Sequence, residues 1–143
     1  MENERLKDKI ALITGAARGI GFGIAEKYAE EGAKVIIADV LTEEGEAAKE
    51  KIGEKADFYQ INLRSRESIF EMADVVHEKY GKIDILVNCA GVARPCPTLK
   101  LDEETLDEVI DINMKAPLFT CQAVGKYMRR DGGGAIVNIS SGN

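Results

Sequence analysis

A single histidine, His77, is all the imidazole in this chain of 143 residues, so a multi-histidine metal site is excluded and no metal centre is expected. Cysteine is nearly as scarce. Cys89, Cys96 and Cys121 form no C-x-x-C pair, and an odd, sparse count suits a reducing compartment in which thiols pack as small apolar groups. Basic residues are outnumbered, 19 against 25 acidic, and the resulting net charge of −6 argues against a nucleic-acid partner. No apolar run approaches membrane-spanning length, and the opening residues Met1, Glu2, Asn3, Glu4 and Arg5 carry no apolar signal-peptide core, so no membrane partner is expected and the cytoplasm is the expected location. Repeats, low-complexity tracts and interdomain linkers are likewise missing. What is present is 45% hydrophobic and 31% charged, the balance of a globular chain, at a length with room for one domain over residues 1–143.

Short β-branched runs alternate with longer segments of helical period, which predicts an α/β fold with a doubly wound parallel sheet. The expected strands are Ile10 to Thr14, Val35 to Asp39, Phe58 to Ile61, Ile83 to Asn88 and Ala135 to Ser140. Between the first two, Ile20, Ile24 and Tyr28 recur at helical spacing as an apolar stripe, and Gly32 stops the helix. A second helix is expected over Thr42 to Ile52. A third carries Ile69, Met72, Ala73, Val76 and Tyr80 on one stripe and ends at Gly81, with His77 on its solvated side. The longest helix starts at the N-cap Asp102 and runs toward Arg129 and Arg130, with Gly132 to Gly134 ending it.

The first strand leads directly into Thr14-Gly15-Ala16-Ala17-Arg18-Gly19-Ile20-Gly21 and then into a helix. Glycines in such a turn permit positive φ and close approach of a ligand to backbone, and the free N–H groups of the helix start favour an anion such as pyrophosphate. Gly19 and Gly21 are expected to open that path. No Gly-Lys-Ser/Thr follows, which disfavours a P-loop, and the strict G-x-G-x-x-G spacing is not met. The second strand ends in Asp39, 18 positions after Gly21, close to the separation expected of the acid that binds an adenosine ribose hydroxyl. Together the turn and the acid favour an adenine dinucleotide cofactor.

Thr14-Gly15-x-x-x-Gly19-x-Gly21, Asn88-Cys89-Ala90-Gly91, Asn113 and Asn138-Ile139-Ser140-Ser141, in that order along the whole chain, resemble the short-chain dehydrogenases/reductases. The resemblance implies a Rossmann-like fold and a nicotinamide cofactor; because a 2′-phosphate on the adenosine ribose would face the Asp39 carboxylate, NAD is expected in preference to NADP. It implies that Gly15, Arg18, Gly19, Ile20, Gly21, Asp39, Asn62, Leu63, Asn88, Ala90 and Gly91 hold that cofactor. Asn62 stands where the family usually has aspartate, and its amide oxygen can still accept from the adenine amino group. Cys89 replaces a commoner asparagine and is read as packing. The implied reaction is hydride transfer between the nicotinamide and a small-molecule secondary alcohol or ketone. The alternatives are a non-catalytic nucleotide-binding module and an NADP-dependent reductase like those acting on 3-oxoacyl groups. A methyltransferase on the same sheet would want a denser glycine turn.

Asn113 falls on the stripe formed by Leu106, Val109, Ile110, Met114, Leu118 and Cys121, where a polar amide needs a partner. Pro117, four residues on, has no N–H to give to the Asn113 carbonyl, which frees that oxygen for another donor such as water. In the family this asparagine is catalytic through that carbonyl, and Ser141 matches the serine that binds the substrate oxygen, with Ser140 as the register alternative. The family's Tyr-x-x-x-Lys pair has no counterpart, because Tyr28, Tyr59, Tyr80 and Tyr127 are followed four residues on by Gly32, Leu63, Asp84 and Asp131. The chain therefore reads as the cofactor-binding portion of such an enzyme, truncated after the fifth strand. It is expected to be catalytically silent alone and a homo-oligomer in complete form.

Overall fold

The computed structural model describes residues 4–141; Met1, Glu2 and Asn3, read above for a signal sequence, lie outside it. Five strands, β1 (Ile10–Thr14), β2 (Lys34–Asp39), β3 (Ala56–Gln60), β4 (Ile85–Asn88) and β5 (Ala135–Asn138), form one parallel sheet in the order β3-β2-β1-β4-β5. The inner strands β1, β2 and β4 are short β-branched runs buried on both faces, whereas β3 at one edge is mostly half-buried and β5 at the other is exposed throughout. Helices α1 (Gly19–Glu30), α2 (Thr42–Ile52), α3 (Arg66–Tyr80), α4 (Glu103–Ile110) and α5 (Ala116–Arg130) make the crossovers, and a π-turn over Asp111–Lys115 joins the last two.

Because strand side chains alternate between faces, the sheet supports two cores. Leu12, Ile36 and Leu86 meet Ile69, Met72 and Val76 of α3 and Val124 and Met128 of α5. Ala11, Ile13, Val35, Ile37 and Val87 meet Ala25 of α1 and Ala48 of α2 on the opposite side. The predicted doubly wound fold is the observed one. Ser65 caps α3 by accepting from the Ser68 N–H, Asp102 caps α4 by accepting from the Thr105 N–H, and Gly81 ends α3 at φ +78°.

Several expectations are corrected. In α1, Gly21 and Ala25 form the buried face, whereas Ile20 is 69% exposed beside the glycine turn and not on a core stripe. β3 begins two residues earlier than expected, β4 starts at Ile85 and β5 stops at Asn138. Ile61 and Ile139 nonetheless continue the ladder by donating to the Asp39 and Asn88 carbonyls. The long helix is not continuous. Proline lacks an N–H and its ring crowds the carbonyl four residues back, and the wider π-turn, in which the Ala116 N–H reaches the Asp111 carbonyl, relieves that crowding at Asn113.

His77 is no solvated side chain. Its ring stacks on Tyr127 at 3.9 Å, and Nε2 lies 2.7 Å from Asp131 Oδ2, tying the end of α3 to the end of α5. That bond holds the Asp131 carboxyl below its ordinary range. The cluster sits at the end of the sheet where strands begin, opposite the glycine turn.

Candidate functional site

Sheet order reverses between β1 and β4, and parallel sheets bind ligands in the crevice beyond the strand ends at such a switch point. In-register pairing brings Thr14, Asn88 and Asn138 side by side across β1, β4 and β5, with Asp39 ending β2 on the other side. The glycine turn fills the crevice mouth. Gly15 and Gly19 both have positive φ, at +66° and +61°. A Cβ on Gly15 would come within 2.6 Å of the Ala90 Cα, whereas one on Gly19 would meet nothing within 4 Å. A Cβ on Gly21 would stand 2.2 Å from the Gly15 carbonyl oxygen, so this glycine lets α1 pack under the turn and does not open a ligand path, contrary to expectation.

Among α1, α3 and α4, only α1 begins with neither a capping side chain nor an acidic residue in its first turn, since Arg18 at the N-cap has extended backbone and no cap bond. Uncapped N–H groups next to the open space at Gly19 are chemically suited to a phosphate. Arg18, Gly19 and Ile20 are all exposed there. The site residues thus fit a dinucleotide.

Asp39 is buried and already engaged: Oδ2 accepts from the Ala17 N–H at 3.1 Å and Oδ1 from the Leu41 N–H at 3.1 Å. It braces the glycine turn against β2, and each carboxylate oxygen keeps a lone pair for a ribose hydroxyl. On the far side of β2, Asn62 is exposed, and its Oδ1 accepts from the Arg64 N–H at 3.0 Å, which shapes the loop that also carries half-buried Leu63.

Asn88 plays a different part from the one expected. Its Nδ2 donates to Asn138 Oδ1 at 2.9 Å and its Oδ1 accepts from Thr120 Oγ1 at 2.6 Å, so the side chain stitches β4 to β5 and α5. The residues after it are held by Thr14, whose Oγ1 accepts from the Cys89 and Ala90 N–H groups at 3.1 and 3.2 Å. Thr14 and Thr120 were assigned no role from sequence. Thr14 lay within a quoted motif, whereas nothing along the chain marked Thr120. Cys89 packs as expected, and burial pushes its thiol up.

Asn113 is exposed rather than part of a buried stripe, yet its amide is fully used. Oδ1 accepts from the Val92 N–H and Nδ2 donates to the Val92 carbonyl, both at 2.8 Å. This two-point clamp fixes the loop after Gly91, whose missing Cβ would lie 3.4 Å from Asn113 Oδ1. The Asn113 backbone carbonyl, with Pro117 four residues on, has no i+4 donor, and Pro117, Ile112, Thr14, Asn88, Ala90 and Thr120 are among the residues lining a shallow adjoining crevice. Asp111, which opens the π-turn, is bonded to Lys115 and Arg64, and those cations hold its carboxyl below its usual range. Ser140 and Ser141 lie just past β5 and are both exposed, so the structure brings them to the same strand-end edge.

A parallel, doubly wound sheet with a glycine-lined helix start and an acid at the second strand end defines a dinucleotide-binding class of protein. The family model for short chain dehydrogenase matches residues 9–143. The chain belongs to the short-chain dehydrogenase family. It is 43% identical over 138 residues to galactitol 2-dehydrogenase of Agrobacterium fabrum, covering 96% of this chain and 54% of that protein. It is 42% identical over 140 residues to a 3-oxoacyl-(acyl-carrier-protein) reductase of Thermotoga maritima, covering 96% and 57%. Its fold matches the crystal structure of a metagenomic short-chain oxidoreductase in complex with NADP at a TM-score of 0.91 and 34% identity, over 95% of this chain and 63% of that one. The chain spans about half the length of the curated relatives it matches. Among the described residues, no helix is long and apolar enough to cross a membrane and no cluster of metal-ligating side chains occurs.

Proposed function

We propose that residues 1–143 form one dinucleotide-binding domain that holds NAD(H) for hydride exchange with a secondary alcohol or ketone. The observation that carries this reading is the start of α1, uncapped and open above Gly19, beside a buried Asp39 at the switch point. The cofactor, when bound, supplies the hydride. The chain's own residues bind and orient: the α1 N–H groups and Arg18 take phosphate charge, Asp39 takes the ribose, Ile20 and Leu63 give apolar contact, and the backbone of Ala90 and Gly91 lines the path toward Asn113. The carbonyl of Asn113 accepts a proton donor such as water, and a serine at 140 or 141 donates to the substrate oxygen. No tyrosine among the 143 residues stands four before a lysine, so acid–base transfer is assigned to no residue of this chain.

NAD is favoured over NADP because a carboxylate about 4 Å from a phosphate charge repels it by about 4 kcal/mol at an effective dielectric near 20, of which salt and Arg18 offset part. Calorimetry with NADH, NADPH and S-adenosylmethionine tests this. NADH binding at least roughly tenfold tighter than NADPH is expected, with no S-adenosylmethionine binding. Equal affinity for NADH and NADPH overturns the cofactor choice. A substrate panel followed at the NADH absorbance band tests the hydride-exchange reading against a binding module without turnover, since turnover by this chain refutes the module. A cytoplasmic location is proposed from the sparse cysteines, and self-association from the exposed Leu106, Met114, Leu118, Ile136 and Ile139.

A further inference from the structure

Arg64 follows Leu63 in the loop between β3 and α3 and belongs to none of the quoted motifs. Its backbone N–H shapes the Asn62 turn, while its guanidinium crosses to another part of the molecule. Nη1 lies 2.8 Å from Glu104 Oε1 on α4, and Nε lies 3.2 Å from Asp111 Oδ2 at the first residue of the π-turn. The two arms differ in environment. Glu104 is 78% exposed and its arm is strongly screened, whereas the Arg64 and Asp111 side chains are only 33% and 19% exposed. Asp111 is also fixed at Oδ1 by Lys115, which closes the π-turn, and by its own carbonyl through the Ala116 N–H. Two residues on, Asn113 clamps Val92 with two bonds, and Val92 directly follows Gly91.

These contacts form an unbroken series of bonds: Asn62 loop, Arg64, Asp111, π-turn, Asn113, Val92. We propose that Arg64 is a positioning residue that makes the loop bearing Asn62 and Leu63 and the turn bearing Asn113 move as one body, so that occupancy of the adenine end of the site is felt at Asn113. The inference rests on the dinucleotide reading above. A planar guanidinium suits the task, because its rigid fork can hold two carboxylates at once where a lysine offers a single point charge. Coupling of this kind requires a packed link whose arrangement both ends bias, and the Arg64–Asp111 arm is the only side-chain bond among those found between the Asn62–Ser65 loop and the π-turn in the described residues.

The test uses ADP, which carries the adenine half of the cofactor and no nicotinamide, followed by amide NMR on the whole 143-residue chain. In the wild type, ADP is expected to shift the resonances of Gly19 and Ile20 and also those of the Asn113 side chain and the Val92 N–H. In Arg64→Met, which keeps the aliphatic stem and leaves the Asn62 backbone turn intact, the shifts at Gly19 and Ile20 should persist. Those at Asn113 and Val92 should fall at least about threefold, and ADP affinity should drop roughly two- to fivefold, the range for a partly screened charge pair. Glu104→Gln, which cuts only the exposed arm, should keep the distant shifts. Should Arg64→Met fold poorly, Arg64→Gln severs the fork with less apolar exposure and carries the same expectation. Distant shifts that are absent in the wild type, or that survive undiminished in a folded Arg64 variant, overturn the proposal while leaving the cofactor reading in place. No shift at Gly19 or Ile20 in the wild type overturns that reading, and this inference with it.

Discussion

Gly19 and Gly21 sit two residues apart in one motif, yet their replacement should fail in different ways. A methyl group on Gly21 would press to 2.2 Å from the Gly15 carbonyl oxygen. Gly15 cannot retreat, since its own Cβ position is 2.6 Å from the Ala90 backbone and its N–H is bonded to the Ala38 carbonyl at 2.8 Å. Alanine in a helix gains about 1 kcal/mol over glycine, and overpacking a tight site costs about 1–3 kcal/mol, at the upper end here because both walls are backbone. Gly21→Ala should therefore lose about 1–2 kcal/mol in urea unfolding followed by circular dichroism. Gly19 has open space around it but φ is +61°, so a valine there would be strained as well as obstructive, and the clean probe is asparagine, which tolerates that backbone. Gly19→Asn should stay within about 1 kcal/mol of wild-type stability while NADH affinity falls by about tenfold or more, because its side chain enters the space above the helix start. A Gly21→Ala protein more stable than wild type would refute the wedge of Gly21, Gly15 and Ala90. Unchanged NADH binding in folded Gly19→Asn would remove Gly19 from the ligand path.

Thr120→Val should leave the buried Asn88 Oδ1 without its donor and cost about 1–3 kcal/mol in urea unfolding, while Thr120→Ser stays near wild type; equal stability of the valine variant would refute the stitching role of Asn88. Acid should weaken the fold through Glu31. Its bond to Arg5 holds its carboxyl down to about 2 from an ordinary 4.5, so the unfolded chain takes up a proton first as pH falls, and the stabilisation present above pH 4.5 is lost between there and about 2. Arg5→Gln should flatten that part of the pH–stability curve, and an unchanged curve would remove the pair from acid sensitivity. Arg5 is largely exposed, so salt should flatten it too.

The element order, the parallel sheet and the position of the glycine turn were determined by local pattern alone. β-branched runs, a glycine stop at Gly81 and an N-cap at Asp102 act within a few residues of themselves, so the sequence carries them openly. The same holds for the missing N–H of Pro117, although the form of its consequence, a π-turn centred on Asn113, depended on how the helix was held at both ends. What each polar side chain bonds to was decided only by tertiary structure. Asn88 is stitched to Thr120 and Asn138, residues 32 and 50 positions away, and His77 is paired with Asp131 at 54 positions. Periodicity cannot rank such partners, because it reports which face a residue occupies and not what stands across from it. Ile20 shows the converse: its spacing fits the stripe of α1, but the helix starts where the sheet ends, and beyond the strand ends there is no sheet left to bury it.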